Sequence, residues 1–294
     1  MYPDEFDYVR ADSVEEALEL LAEHSDAELL AGGHSLLPTM KTGLADPDVL
    51  IDIGHIEAMT GIEHGEETTA IGANTTYAEI ADDETLWDCA TVVAEAAGEV
   101  GDTQVRNCGT VGGNLAHSDP ASDLPAAALA ADATLIAQGP DGEREIDADD
   151  YFIAMYMTDL AQDEILTRIE LPQQAPETVS GYVKKPSPSS GYALIGVAAT
   201  LETDGETIES ARVAANGAMD HGVRLTAVED ALAGAALDED ALADAAAHAG
   251  DSLDTSMLMD DLQASAEFRA QLLEVYSERA LAHASERAGL AREA

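Results

Sequence analysis

The sequence predicts an α+β chain of two small α/β units followed by a domain of three antiparallel strands with helices. Three observations predict it. Amphipathic helical segments alternate with short apolar strands through the first half of the chain, as in layered α/β units. Two hairpin signals stand out: Pro140-Asp141-Gly142 after one strand-like run, and Thr203-Asp204-Gly205-Glu206 between two. Composition then shifts at Pro172-Gln173-Gln174-Ala175-Pro176, the best linker candidate, so the expected units are 1–55, 56–175 and 176–294.

The elements follow in order. Ser13 opens a capping box with Glu16, and Val14, Ala17, Leu18 and Leu21 share one helical face. Residues 27–31 read as a short strand entering Gly32-Gly33, and 49–53 as a second, nearly continuous apolar strand. In the second unit, 68–71 reads as a strand, 76–82 as a short helix and 86–100 as a helix ended by Gly101. A second glycine segment follows, then a helix at 123–131 and strands at 133–138 and 164–171. Beyond the linker, 179–184, 192–202 and 207–215 read as strands, and helical patterns run from 225 onward.

Charge narrows the function. The 294 residues carry 59 acidic and 13 basic side chains, a net charge of −46. Nucleic-acid binding needs the opposite sign and is rejected. The acids are spread rather than blocked, which argues against an acidic tail, and the apolar periodicity argues against disorder. What remains is a folded protein with an acidic surface, suited to concentrated salt where screening removes self-repulsion. The source is therefore read as a halophile. No run approaches the ~18 apolar residues of a membrane helix. Met1-Tyr2-Pro3-Asp4-Glu5 lacks the basic and apolar regions of a signal peptide, so a cytoplasmic protein without membrane contact is expected. Cys89 and Cys108 are the only cysteines, and two thiols cannot supply the four ligands of an iron–sulfur cluster or a structural zinc. Any cluster must come from a partner.

Two glycine pairs carry the chemistry: Ala31-Gly32-Gly33-His34-Ser35-Leu36-Leu37-Pro38 and Thr110-Val111-Gly112-Gly113-Asn114-Leu115-Ala116-His117-Ser118-Asp119-Pro120. A Gly-Gly step lets backbone N–H groups point into one concavity, which suits a diphosphate. Two such steps suggest one large anion held from both sides; the plainer reading is a pair of structural turns. The Rossmann fingerprint and the Walker loop are both absent. His34 and His117 lack partners at ligand spacing, so no metal is expected. His117-Ser118-Asp119 are adjacent and do not converge as a triad, and no residue is assigned as acid, base or nucleophile. Asp119 and Asp123 read as N-caps for the apolar run from Leu124 or as hydroxyl acceptors; capping is favoured for Asp119, and the two stand level for Asp123. Tyr192 reads as core packing in preference to a ring laid on an aromatic cofactor. The only lysines are Lys41, Lys184 and Lys185, which singles each of them out on so acidic a chain.

These two segments, with Asp102-Thr103-Gln104-Val105-Arg106-Asn107, Gly109, and Asp119-Pro120-Ala121-Ser122-Asp123-Leu124-Pro125, resemble the FAD-binding medium subunit of molybdenum hydroxylases. The likeness is to the carbon monoxide dehydrogenase medium-subunit type, with the flavin domain of xanthine dehydrogenase related. The resemblance implies a PCMH-type FAD-binding fold of two α/β subdomains plus a C-terminal domain. It places Ala31, Gly32, Gly33, His34 and Ser35, with Thr110, Val111, Gly112, Gly113 and Asn114, around the FAD pyrophosphate, and Leu36 among the cofactor contacts. Asp123 falls near the ribitol, Tyr192 over the isoalloxazine, and Leu166 among the cofactor contacts. Lys184 matches a flavin-proximal lysine, with Lys185 one residue away; Cys108 departs from the pattern and has no role. The implied function is electron transfer from the [2Fe-2S] clusters of a small subunit, through FAD, to an external acceptor. A molybdopterin-binding large subunit completes the implied assembly, a dimer of heterotrimers. A flavin-free scaffold and a stand-alone flavin oxidoreductase are the alternatives.

Overall fold

The computed structural model describes residues 2–291. It begins with β1 (Asp7–Arg10), α1 (Val14–Glu23), β2 (Ala27–Leu30), α2 (Leu36–Thr42) and β3 (Val49–Asp52). These strands form a parallel sheet in the order β1-β3-β2. Ser13 caps α1 by accepting the Glu16 N–H at 3.1 Å. Strand β1 is mostly exposed and carries charges at both ends, so it offers no apolar run to read in sequence. Helix α2 holds Pro38 in its first turn, where a missing N–H costs no hydrogen bond.

The second sheet is wholly antiparallel. Strands β4 (Ile62–His64) and β5 (Thr68–Gly72) precede six helices: α3 (Tyr77–Asp82), α4 (Glu84–Cys89), α5 (Thr91–Glu99), α6 (Thr103–Arg106), α7 (Val111–His117) and α8 (Leu124–Ala130). Then come β6 (Thr134–Gly139), β7 (Gly142–Asp147), α9 (Ala148–Tyr151), β8 (Phe152–Ala154), β9 (Met157–Thr158) and β10 (Ile165–Pro172). The strand order is β4-β5-β10-β6-β7, with β8 and β9 as a separate small hairpin. The single helix expected over 86–100 is two helices, because Ala90 leaves the helical region at φ −152°, ψ 49°.

The last sheet has four strands where three were expected. β11 (Val179–Pro186), β12 (Ala193–Thr203) and β13 (Ile208–Asn216) are joined by β14 (Val223–Arg224), which pairs with Ala214 and Ala215. Two residues are too few to show a strand period in sequence. Helices α10 (Thr226–Leu232), α11 (Glu239–Ala246) and α12 (Ala266–Ala291) complete the chain.

Strand β12 is buried along almost its whole length, because helices cover both faces of its sheet. Alternation along the strands divides the side chains. Tyr182, Ala198 and Ala214 join the core of the preceding units, against α5 and α8. Val197, Ala199, Val213 and Ala215 join a second core beneath α10 and α12. Glu95 on α5 fastens these layers: it accepts the Tyr182 N–H at 2.7 Å, His283 at 2.7 Å and Arg287 at 2.9 Å. Leu281 of α12 is fully buried against the sheet. Leu281→Ala is expected to lower unfolding free energy by about 2–5 kcal/mol, read from urea unfolding in molar salt.

Candidate cofactor site

The two glycine segments meet through their backbones. A Cβ on Gly32 would stand 2.3 Å from the Cys108 carbonyl oxygen and 2.8 Å from Gly109 Cα, so no side chain fits there. Gly113 faces Ala31, its Cβ position 3.8 Å from the Ala31 Cβ. Segments far apart in sequence therefore form one surface at the exit of β2.

Their chemistry differs. Gly33 sits in the left-handed region at φ 70°, and the chain turns there into α2. Among the described residues, the N–H groups of Gly32, Gly33, His34, Ser35 and Leu36 have no partner within the chain. Ser35 gives α2 no side-chain cap, and the His34 ring folds back to the Gly32 carbonyl at 2.9 Å. Successive free N–H donors at a left-handed turn make a nest for an anion, and those residues can receive a diphosphate.

The second glycine pair is helical, in place of the loop its composition suggests. Thr110 caps α7, with its hydroxyl accepting the Gly113 N–H at 3.2 Å. Val111 N–H donates to Thr75 O at 3.0 Å, Gly112 N–H to Ala73 O at 2.8 Å and Asn114 N–H to Thr110 O at 3.0 Å. No backbone N–H from 111 to 114 is left over. Glycine is required here for closeness: a Cβ on Gly112 would lie 2.4 Å from Ala73 Cβ. The Asn114 amide donates to the Tyr77 hydroxyl at 3.0 Å and accepts from Ser122 at 2.7 Å. Leu166 lies in the core on β10; its neighbour Thr167 accepts the N–H of Ala73, the residue that backs Gly112.

Asp123 neither caps a helix nor faces water. It occupies the N-cap position of α8 without a side-chain cap bond and is 3% exposed. Its carboxylate accepts from the Tyr182 hydroxyl at 2.6 Å and from Lys184 Nζ at 3.0 Å. Lys184 completes its three donations at Glu99 O (2.6 Å) and Gly191 O (3.2 Å). Burial pushes the Asp123 carboxyl up to about 6, against the pull of Lys184 and Tyr182. The Lys184 side chain is 5% exposed and is the one that reaches Asp123, which separates it from its neighbour Lys185. Tyr182, two residues upstream on the same strand face, was the readable signal for this network.

Asp119 forms a turn rather than a cap for α8, accepting the Ala121 N–H at 2.9 Å. Tyr192 is not core: it lies just before β12 and is 43% exposed. His117 packs on the Tyr156 ring, centroids 4.9 Å apart, and burial lowers its pKa. No group of His, Cys, Asp and Glu among the described residues is placed to hold a metal.

Comparison with known proteins decides the family. Residues 4–174 match the model of the FAD binding domain in molybdopterin dehydrogenase, and residues 182–284 that of the CO dehydrogenase flavoprotein C-terminal domain. This chain belongs to the FAD-binding medium subunits of molybdenum hydroxylases. The carbon monoxide dehydrogenase medium chain of Hydrogenophaga pseudoflava is 37% identical over 84% of this medium subunit and 86% of that chain. The nicotine 6-hydroxylase medium subunit of Paenarthrobacter nicotinovorans is 35% identical over 95% of this chain and 97% of its own. The solved carbon monoxide dehydrogenase of Hydrogenophaga pseudoflava superimposes with TM-score 0.92 at 36% identity, covering 98% of this chain and 99% of that one. The medium subunit is thus a component of an oxidoreductase, and its cofactor is FAD.

Two outcomes follow for the buried ion pair of this medium subunit. Lys184→Met leaves a carboxylate buried without its cation and is expected to cost about 3–5 kcal/mol in chemical unfolding at neutral pH. The raised Asp123 pKa means the folded state binds a proton more tightly than the unfolded one. Wild-type stability relative to Asp123→Asn therefore falls as pH rises from about 4 to about 6, then levels off. A flat difference profile across that window would contradict the assignment.

Proposed function

We propose that this medium subunit takes electrons from the [2Fe-2S] clusters of a small partner subunit and passes them through FAD to an external acceptor. A molybdopterin-binding large subunit completes the proposed complex, a dimer of heterotrimers. The observation that carries the reading is the run of free N–H donors from Gly32 to Leu36, held against Cys108 and Gly109.

In this reading, Ala31, Gly32, Gly33, His34, Ser35 and Leu36 receive the pyrophosphate. Thr110, Val111, Gly112, Gly113 and Asn114 form its floor, where glycine lets the backbones close up and Asn114 holds Tyr77 and Ser122 in line. Asp123 and Lys184 stand behind the ribitol as a fixed polar wall, Leu166 supports the floor through its strand, and Tyr192 covers the flavin ring. Bound FAD supplies chemistry that accepts electrons singly and releases them in pairs. The protein residues bind, orient and shield; none of them moves a proton or attacks a substrate. No helix among the described residues is long and apolar enough to cross a membrane. The net charge of −46 supports a halophilic setting.

Titration of the purified chain in molar KCl tests the placement. FAD and ADP are expected to compete for one site and FMN to bind more weakly, because only the first two present a diphosphate. A chain that takes up neither FAD nor ADP would falsify it. Melting temperature is expected to rise with KCl from millimolar to molar concentration. A melting temperature unchanged by salt would remove the halophilic reading.

A further inference from the structure

The hairpin β8–β9 is apolar and open to solvent: Ile153, Met155, Tyr156 and Met157 are between 44% and 57% exposed. Its tip is also strained. Tyr156 has φ 57°, a left-handed conformation that bulky side chains rarely adopt. The strain is held by a bond from the Tyr156 N–H to Ser118 O at 3.1 Å, and Ser118 is itself left-handed at φ 49°. Ser118 ends α7, the helix that carries the second glycine pair, and His117 on that helix packs on the Tyr156 ring. The fold gives up stability to fix one exposed ring beside the proposed cofactor surface.

Tyr192 is held to the same segment: its neighbour Ala193 donates its N–H to Ala121 O at 3.1 Å, as Tyr156 donates to Ser118 O. Asp119 lies between those two anchor points, and beyond burial it raises the Tyr192 phenol. Tyr156 is raised in turn by burial and by Asp119. Two partly exposed phenols thus stand near the end of α7, each on a different loop.

We propose that Tyr156 is the second aromatic wall of the isoalloxazine slot, opposite Tyr192, and that His117 is its positioning residue. This rests on the FAD placement proposed above. A flat ring system buries both faces only between two walls, and a ring with a fixed backbone and a packed neighbour is prepared for such a ligand. A partner protein seated on the hairpin is the competing occupant, and it requires nothing of the flavin.

Equilibrium titrations with FAD and, separately, ADP distinguish the two, using wild type, Tyr156→Gly and Tyr156→Phe in molar KCl. Glycine accepts φ 57° without strain, so Tyr156→Gly removes the ring and keeps the backbone. Tyr156→Gly is expected to weaken FAD about tenfold, to leave ADP within about twofold, and to brighten bound-flavin fluorescence by removing a quenching phenol. Tyr156→Phe is expected to retain the affinity. Wild-type FAD affinity and fluorescence in Tyr156→Gly would overturn the wall while leaving the FAD placement standing. A wild-type chain that binds neither nucleotide would overturn both.

Discussion

The buried pair of Asp123 and Lys184 is the constraint on which the rest of the architecture depends. Each ion pays a desolvation penalty of several kcal/mol, so the pair is tolerable only because its remaining hydrogen-bonding capacity is met. Tyr182 completes the carboxylate, and the carbonyls of Glu99 and Gly191 complete the ammonium. Those partners come from the start of α8, the end of α5, strand β11 and the loop that leads into Tyr192. One ammonium therefore sets the distance between the helical layer and the C-terminal sheet. It also anchors the loop that presents Tyr192 beside the glycine helix.

The same economy of cations runs through the molecule. On so acidic a chain, four arginines tie one element to another. Arg269 is 2% exposed and donates to Leu194 O and Gly217 O at 2.6 Å, fixing α12 to the ends of β12 and β13. Arg287 reaches Glu95 across to α5, and Arg212 and Arg224 converge on Asp149. Pairs buried or half-buried in this way are screened by salt much less than exposed ones.

The sequence made the glycine segments legible because both sit beside short polar residues in an order that only a family constellation explains. The sequence concealed their difference. Glycine is a poor helix former, so nothing local announces that 111–117 is helical; the Thr110 cap and the close contact with Ala73 impose it. Strand β1 stayed hidden because it is exposed and charged, and β14 because it is two residues long. Tyr192 borders an apolar strand, which in sequence reads as core, yet it lies one residue outside β12 and is 43% exposed. Asp123 has ordinary capping chemistry, and its true partners come from a sheet some sixty residues onward, a separation that periodicity does not reach.

The contact of Gly32 with Cys108 and Gly109 has a consequence for how this surface can change over time. Because main chain fills the space where a side chain at position 32 would start, neither segment can be altered alone. A substitution at 32 becomes admissible only after residues 108 and 109 have withdrawn, and that withdrawal shifts the entry into α7. Change at these positions is thus mechanically linked, as in two gear teeth cut for one another. The two segments behave as a single part, cut to one another along the line where Gly32 meets Cys108 and Gly109.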